Sequence, residues 1–195
     1  MTVKMKRIMK IYLMKNTFKK RGTSLILESR DYLNRQKTRN ADNTCLSDYN
    51  CGGYALGTFS WYLPYDDINH SDLAEEMYQN GMSKEEIELE ILQHDLEVMK
   101  EDFPDELIYI KSLDEAAPED TVIAYRLYVK IYDDEDEMCE NVDTDFHFRV
   151  RNNNVWTEKC GSSPILPCSF SEEPWDNGGD CIYDSPILYF VLKDS

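Results

Sequence analysis

No run of about 20 consecutive apolar residues occurs in this 195-residue chain, so the sequence offers no membrane-spanning helix. The nearest approach, Ile8-Met9-Lys10-Ile11-Tyr12-Leu13-Met14-Lys15, breaks at Lys10 and lacks a small-residue cleavage site. It does not read as a secretory signal, and a cytoplasmic location is expected, with export by another route left open. Histidine is scarce and scattered, at His70, His94 and His147 alone, and no two of the six cysteines (Cys45, Cys51, Cys139, Cys160, Cys168, Cys181) stand in C-x-x-C spacing. The spacing therefore carries no zinc motif, although an even cysteine count allows a disulfide framework if the protein is exported. Positive charge is short too: 21 basic against 38 acidic residues give a formal net charge of −17, a field that repels nucleic acid and anionic membrane surfaces. The acidic run Asp133 to Asp145 lacks the glycine-punctuated loop of a calcium-binding EF-hand and is expected to be a solvated hairpin loop. Internal repeats and other low-complexity segments are missing.

What is present suits a globular protein: 42% hydrophobic and 12% aromatic residues, in a length that buries a sizeable core without disulfides or metal. Residues 1–22 form a basic arm, with Lys4, Lys6, Arg7, Lys10, Lys15, Lys19, Lys20 and Arg21 and no acid. The arm is expected to be a frayed or strand-forming terminus against an acidic body, a membrane or partner tether being the alternative. Residues 23–195 then form one domain, with a helical half at about 23–104 and a sheet half at about 105–195.

Ser24 to Gln36 satisfies neither the helix nor the strand period, and Arg39 to Asn50 has loop chemistry. Cys51 to Leu63 reads as a helix that is apolar almost all round and is stopped by Pro64, which places it in the middle of the fold. Gly52 and Gly53 each cost about 1 kcal/mol inside a helix. Either the helix starts near Tyr54, or something approaches its first turn closely. A short helix is expected from Ser71, as cap, to Asn80, ended by Gly81. Ser83-Lys84-Glu85-Glu86 is a capping box, and Ile87, Ile91, Leu92, Leu96, Met99 and Phe103 repeat at helical spacing up to Pro104 as a core stripe. Strands are expected at 107–111, 121–132, 144–151, 155–159 and 187–193. Helices followed by strands imply α+β, with a mostly antiparallel sheet packed on the helical half.

One pairing of residues carries chemistry. A thiol at a helix start is favoured as thiolate, and Cys51 stands at such a start, with its own N–H and the Asn50 amide as candidate oxyanion donors. Gly52 and Gly53 would leave room above it for a substrate backbone. Taken alone, Cys51 reads better as a small buried residue. The alternating stretch Asp145-Phe146-His147-Phe148-Arg149-Val150-Arg151 changes that balance, because it puts His147 on the polar face of a well-anchored strand, as a general base requires. A two-residue turn at Asn152-Asn153 would pair Arg151 with Asn154 and set Glu158 directly across from His147, as the third member of a triad. A three-residue turn would set Glu158 against Phe148 on the wrong face. Asp145 is the rival orienter, and Trp156 is a candidate cleft wall or a stacking partner of Arg149.

At these residues, Asn50-Cys51-Gly52-Gly53-Tyr54-Ala55-Leu56, Asp145-Phe146-His147-Phe148-Arg149 and Val155-Trp156-Thr157-Glu158-Lys159-Cys160-Gly161, the chain resembles bacterial and phage-associated papain-like proteins, related in plan to NlpC-type and CHAP-type cysteine peptidases and amidases. The family pattern has His where this chain has Glu158 and Pro where it has Cys160; Glu is the third residue in some CHAP-type enzymes. The resemblance implies Cys51 as nucleophile, His147 as base, Glu158 as orienter, and no metal or organic cofactor. It implies a papain-like fold and a cysteine hydrolase acting on an amide bond in a peptide, a peptidoglycan stem or a protein isopeptide. A binding protein that keeps the scaffold without turnover is the alternative, and a disulfide-stapled interaction protein with Cys51 bridged is a third.

Overall fold

The computed structural model describes residues 49–58, 60–65, 69–132, 141–161, 163–176 and 181–193. The basic arm 1–22, the segment 24–36, Cys45, Cys139 and residues 133–140 of the acidic run lie outside the described residues.

Among the described residues, α1 (Cys51–Ala55), α2 (His70–Gln79) and α3 (Lys84–Asp102) precede the strands β1 (Leu107–Ile110), β2 (Thr121–Ile131), β3 (Val142–Asn152), β4 (Val155–Lys159), β5 (Ile165–Pro167), β6 (Trp175–Asp176), β7 (Ile182–Tyr183) and β8 (Leu188–Leu192). Six strands make one sheet in the order β1-β8-β2-β3-β4-β5, while β6 and β7 pair separately. The described pairs are antiparallel. The protein is thus α+β, with helices packed on an antiparallel sheet.

Alternation along the strands sorts the side chains. Ile123, Tyr125, Leu127 and Val129 of β2, with Phe146, Phe148 and Val150 of β3, meet the helices in one core. The α3 stripe Ile87, Ile91, Leu92, Leu96, Met99 and Phe103 is buried in the same core. The capping box at Ser83 and Glu86 closes as the spacing predicts. On the other face, Val122, Ala124 and Tyr128 pack with Trp175, Tyr183 and Tyr189 in a second cluster. That cluster exists because residues 168–176 and 181–187 lie over the second face of the sheet, where no element was expected.

Three expectations need correction. The helix at Cys51 stops at Ala55, well short of Leu63, because Gly57 takes a left-handed backbone (φ +67°) and turns the chain back. The returning segment fits against the glycines: a Cβ on Gly53 would lie 1.7 Å from Ser60 O, and one on Gly52 would lie 2.9 Å from Tyr62 O. The space beside the two glycines is therefore filled by the chain itself and not left for a substrate. The cap of α2 is Asn69, whose side chain accepts the Asp72 N–H at 2.8 Å, and Ser71 instead bonds Thr144.

The third correction is the hairpin register. The turn residues with positive φ are Asn153 (+49°) and Asn154 (+61°), one step later than expected, so Asn152 pairs with Val155 and Arg149 with Glu158. Sliding a two-residue turn by one position moves the pairing by two residues, which keeps every side chain on its face. Glu158 therefore shares the face of His147 but sits diagonally from it.

Candidate active site

Asn50 builds the corner that holds Cys51. Its Oδ1 accepts the N–H groups of Gly53 and Tyr62, each at 3.0 Å, and its Nδ2 donates to Tyr62 O at 2.8 Å. It caps α1 and fastens the returning chain at once, which leaves one of its two amide hydrogens for any ligand. Cys51 begins α1 and is buried, with Sγ 3.9 Å from Phe146 O. The sulfur thus lies beside the β3 backbone, just past the point where β4 ends at Lys159.

Burial pushes the Cys51 thiol up to about 12; the Phe148 amide opposes it, the nearby Asp145 charge adds to it, and the Gly52 amide opposes it by less. A five-residue helix sums few peptide dipoles, so the expected lowering by a helix start does not prevail. Cys51 rests as a neutral thiol. Cys51, Cys160 and Cys168 are free thiols.

His147 is 2% exposed and lies under aromatic cover, its ring centroid 5.4 Å from that of Tyr183 and 6.3 Å from that of Trp175. Glu158 Oε2 is 3.3 Å from His147 Nε2 and 2.8 Å from Arg149 Nε. The diagonal register explains this double contact: a glutamate directly across from Arg149 still reaches the histidine two residues away. Burial works against the charged form of Glu158, but the His147 hydrogen bond and the Arg149 charge outweigh it and hold the carboxyl below its usual value. With Nε2 engaged, Nδ1 is the ring nitrogen left for a reacting group.

Asp145, the rival orienter, is engaged elsewhere. It accepts its neighbour Phe146 N–H at 2.8 Å and the Tyr183 hydroxyl at 2.6 Å. Burial and this carboxylate keep the Tyr183 phenol protonated. Trp156 stacks on Phe170 at 4.2 Å and is not a cleft wall, while Arg149 lies over Trp175. Arg126, paired with His147 across β2 and β3, donates to the carbonyls of Ser185, Glu173 and Glu172, which ties the second-face crossing down over the histidine.

Cys51 and His147 open on one cavity of about 380 Å³, together with Asn50, Asp145, Cys160 and Tyr183. Trp61 and Leu63, both exposed, give it an apolar rim. Of the expected residues, Cys51, His147, Asn50 and Asp145 line this space, Glu158 supports it from behind, and Gly52, Gly53 and Trp156 do not face it. Sequence reasoning missed Trp61, Tyr65, Trp175 and Tyr183; the one signal was an aromatic, Trp175, standing in a stretch that otherwise reads as loop.

The fold and site define an α+β protein with a thiol and an imidazole facing one cavity. Compared with protein-family models, with curated proteins and with solved structures, the chain gives no match. No helix among the described residues is long and apolar enough to cross a membrane.

Proposed function

We propose that this protein is a papain-like cysteine hydrolase that cleaves an amide bond, with Cys51 as nucleophile, His147 as general base and Glu158 as the group that orients His147. The observation that carries the reading is the shared cavity of Cys51 and His147, in which the Nε2 side of the imidazole is held by Glu158. In this mechanism Cys51 attacks the carbonyl as His147 Nδ1 takes the thiol proton. The imidazolium, steadied by Glu158, then protonates the departing amine, and water attacks the Cys51 thioester with His147 again as base. Because the resting thiol is neutral, proton transfer accompanies attack and does not precede it. The Cys51 N–H and the remaining Asn50 amide hydrogen are the candidate oxyanion donors. The apolar rim at Trp61 and Leu63 suits a peptide or a protein segment with an apolar side chain near the scissile bond.

A dipeptidyl acyloxymethyl ketone tests the proposal, because it reacts with a cysteine that binds and activates it. Mass spectrometry should find one adduct on Cys51, absent in Cys51→Ala, and labelling should slow by about 100-fold or more in His147→Ala. Adducts spread equally over Cys51, Cys160 and Cys168, or a rate indifferent to His147→Ala, would sink it. The second reading, a non-hydrolytic binding scaffold, is favoured by the burial of Cys51 and its raised pKa. It expects no adduct on Cys51.

A further inference from the structure

Two histidines that stand 24 positions apart in the sequence meet inside the molecule. His70 opens α2, whereas His94 and Asp95 are neighbours in α3. Asp95 is 0% exposed. Its Oδ1 lies 2.8 Å from His70 Nε2 and 3.3 Å from His94 Nδ1, and its Oδ2 accepts the hydroxyl of Tyr125. One ligand atom from each of His70, His94 and Asp95 lies within 4.8 Å of the other two.

The charge balance of this cluster calls for a cation. A carboxylate removed from water is costly unless a positive charge compensates it. Among the described residues no Lys or Arg pairs with Asp95; its ion-pair partners are the two imidazoles. Both ring nitrogens converge on the same oxygen, so hydrogen bonding alone requires a proton on each of them. A single divalent ion would replace both protons and supply the missing charge. Metal–ligand bonds of about 2.0–2.2 Å place adjacent ligand atoms roughly 3.3 Å apart in a tetrahedral site; His94 and Asp95 stand at 3.3 Å, His70 and Asp95 at 2.8 Å, and all three atoms lie within 4.8 Å of one another. Tyr125 on the second oxygen would act as the outer partner that orients a ligating carboxylate.

We propose that His70, His94 and Asp95 form a binding site for a divalent transition-metal ion, with zinc the first candidate. Two neutral imidazoles and one carboxylate are a ligand set that zinc, iron and cobalt accept. His70 also lines a second cavity of about 330 Å³ with Tyr65, Asn69, Ser71, Thr144, Asp145 and Phe146. The ion would tie α2 to α3 and, through Tyr125, to the sheet. The Tyr125 ring lies 4.6 Å from that of Phe148 and 6.2 Å from that of Phe146, the residues whose backbone flanks Cys51. The role is a clamp behind the thiol and is independent of the Cys51 chemistry.

Binding of zinc and of cobalt(II) to the chelator-treated full chain, followed by elemental analysis and absorption spectroscopy, tests the proposal. One equivalent should bind, and the cobalt form should lack the sulfur-to-cobalt charge-transfer band that a cysteine site would give. At free ion near 100 times Kd the melting midpoint should rise by about 5–10 °C. His70→Gln and His94→Gln should each lose the bound equivalent and the rise in melting midpoint, whereas Cys51→Ala should keep both. His94, with a side chain 12% exposed, is the variant whose folding is least at risk, checked by circular dichroism without metal. Absence of binding, retention of the equivalent in His94→Gln, or a thiolate band would overturn the proposal.

Discussion

The two faces of the sheet are built from the same strands but hold their cores together differently. On the helix face, Phe146, Phe148 and Val150 meet Tyr54, Ile91 and Met99, and burial of apolar surface accounts for the packing. On the other face, the same strands present Arg126, His147 and Arg149, and residues 168–176 and 181–187 cover them with Trp175 and Tyr183. Here charge over aromatic ring and side chain to backbone carbonyl join the apolar contacts of Val122, Ala124 and Tyr128. The cavity lies where the two systems meet at the β3 edge. A thiol from the apolar side and an imidazole from the polar side open on it together, each kept in its own surroundings.

The largest effect expected tests whether the polar face is a core at all. Trp175 is 1% exposed and lies 4.4 Å from the Arg149 guanidinium carbon and 5.4 Å from that of Arg126. Trp175→Ala should destabilise by about 3–5 kcal/mol, comparable with Phe148→Ala on the helix face. Urea unfolding measures both. A loss below about 1 kcal/mol for Trp175→Ala would mean that the crossing is a loose cover and that only the helix face is a core.

That face was also the part least legible in the sequence. The α3 stripe and its capping box could be read because both rest on local spacing, and the strand at His147 could be read from its alternation. The crossing could not be read. Its strands β6 and β7 are two residues long, too short for a period, and Pro174 breaks the pattern. What holds Trp175 is supplied by Arg126 and Arg149, which lie far away along the chain. The helix at Cys51 was read too long because apolar content says nothing about where Gly57 turns the chain. The His70–Asp95 contact joins residues 25 positions apart on two helices and leaves no mark on either local pattern.

A second, smaller effect separates the faces by pH. Glu158 has a side chain 18% exposed and holds both His147 and Arg149. Glu158→Gln keeps the shape and removes the charge, which should cost about 1–3 kcal/mol at pH 7. The Glu158 carboxyl is lowered in the folded state, so its contribution is fully present above the unfolded carboxyl value near 4.3 and is lost as pH falls through the folded value. Urea midpoints taken from pH 6 down to pH 3 should therefore bring Glu158→Gln and the parent together. The Phe148→Ala difference should persist across that range, since no proton is linked to it. A Glu158→Gln difference that does not shrink with acid would show that the carboxylate is not what holds this face.

The smallest effect concerns the turn that keeps the two faces in register. Three consecutive asparagines, Asn152, Asn153 and Asn154, let the hairpin turn at either of two positions, because asparagine tolerates positive φ at each. With the turn at Asn153-Asn154, Asn152 is a strand residue paired with Val155. Asn152→Gly should then cost about 0.5–1 kcal/mol, the usual loss for glycine inside a strand, and Asn154→Gly should be neutral or stabilising by a few tenths of a kcal/mol in a type I′ turn. The earlier turn at Asn152-Asn153 reverses the signs, since position 152 would then favour glycine and position 154 would disfavour it. Chemical denaturation of the two variants side by side distinguishes the registers. The outcome bears on the site directly: the later turn makes Glu158 a shared partner of Arg149 and His147, whereas the earlier one would place it squarely opposite the histidine and leave Arg149 to face Trp156.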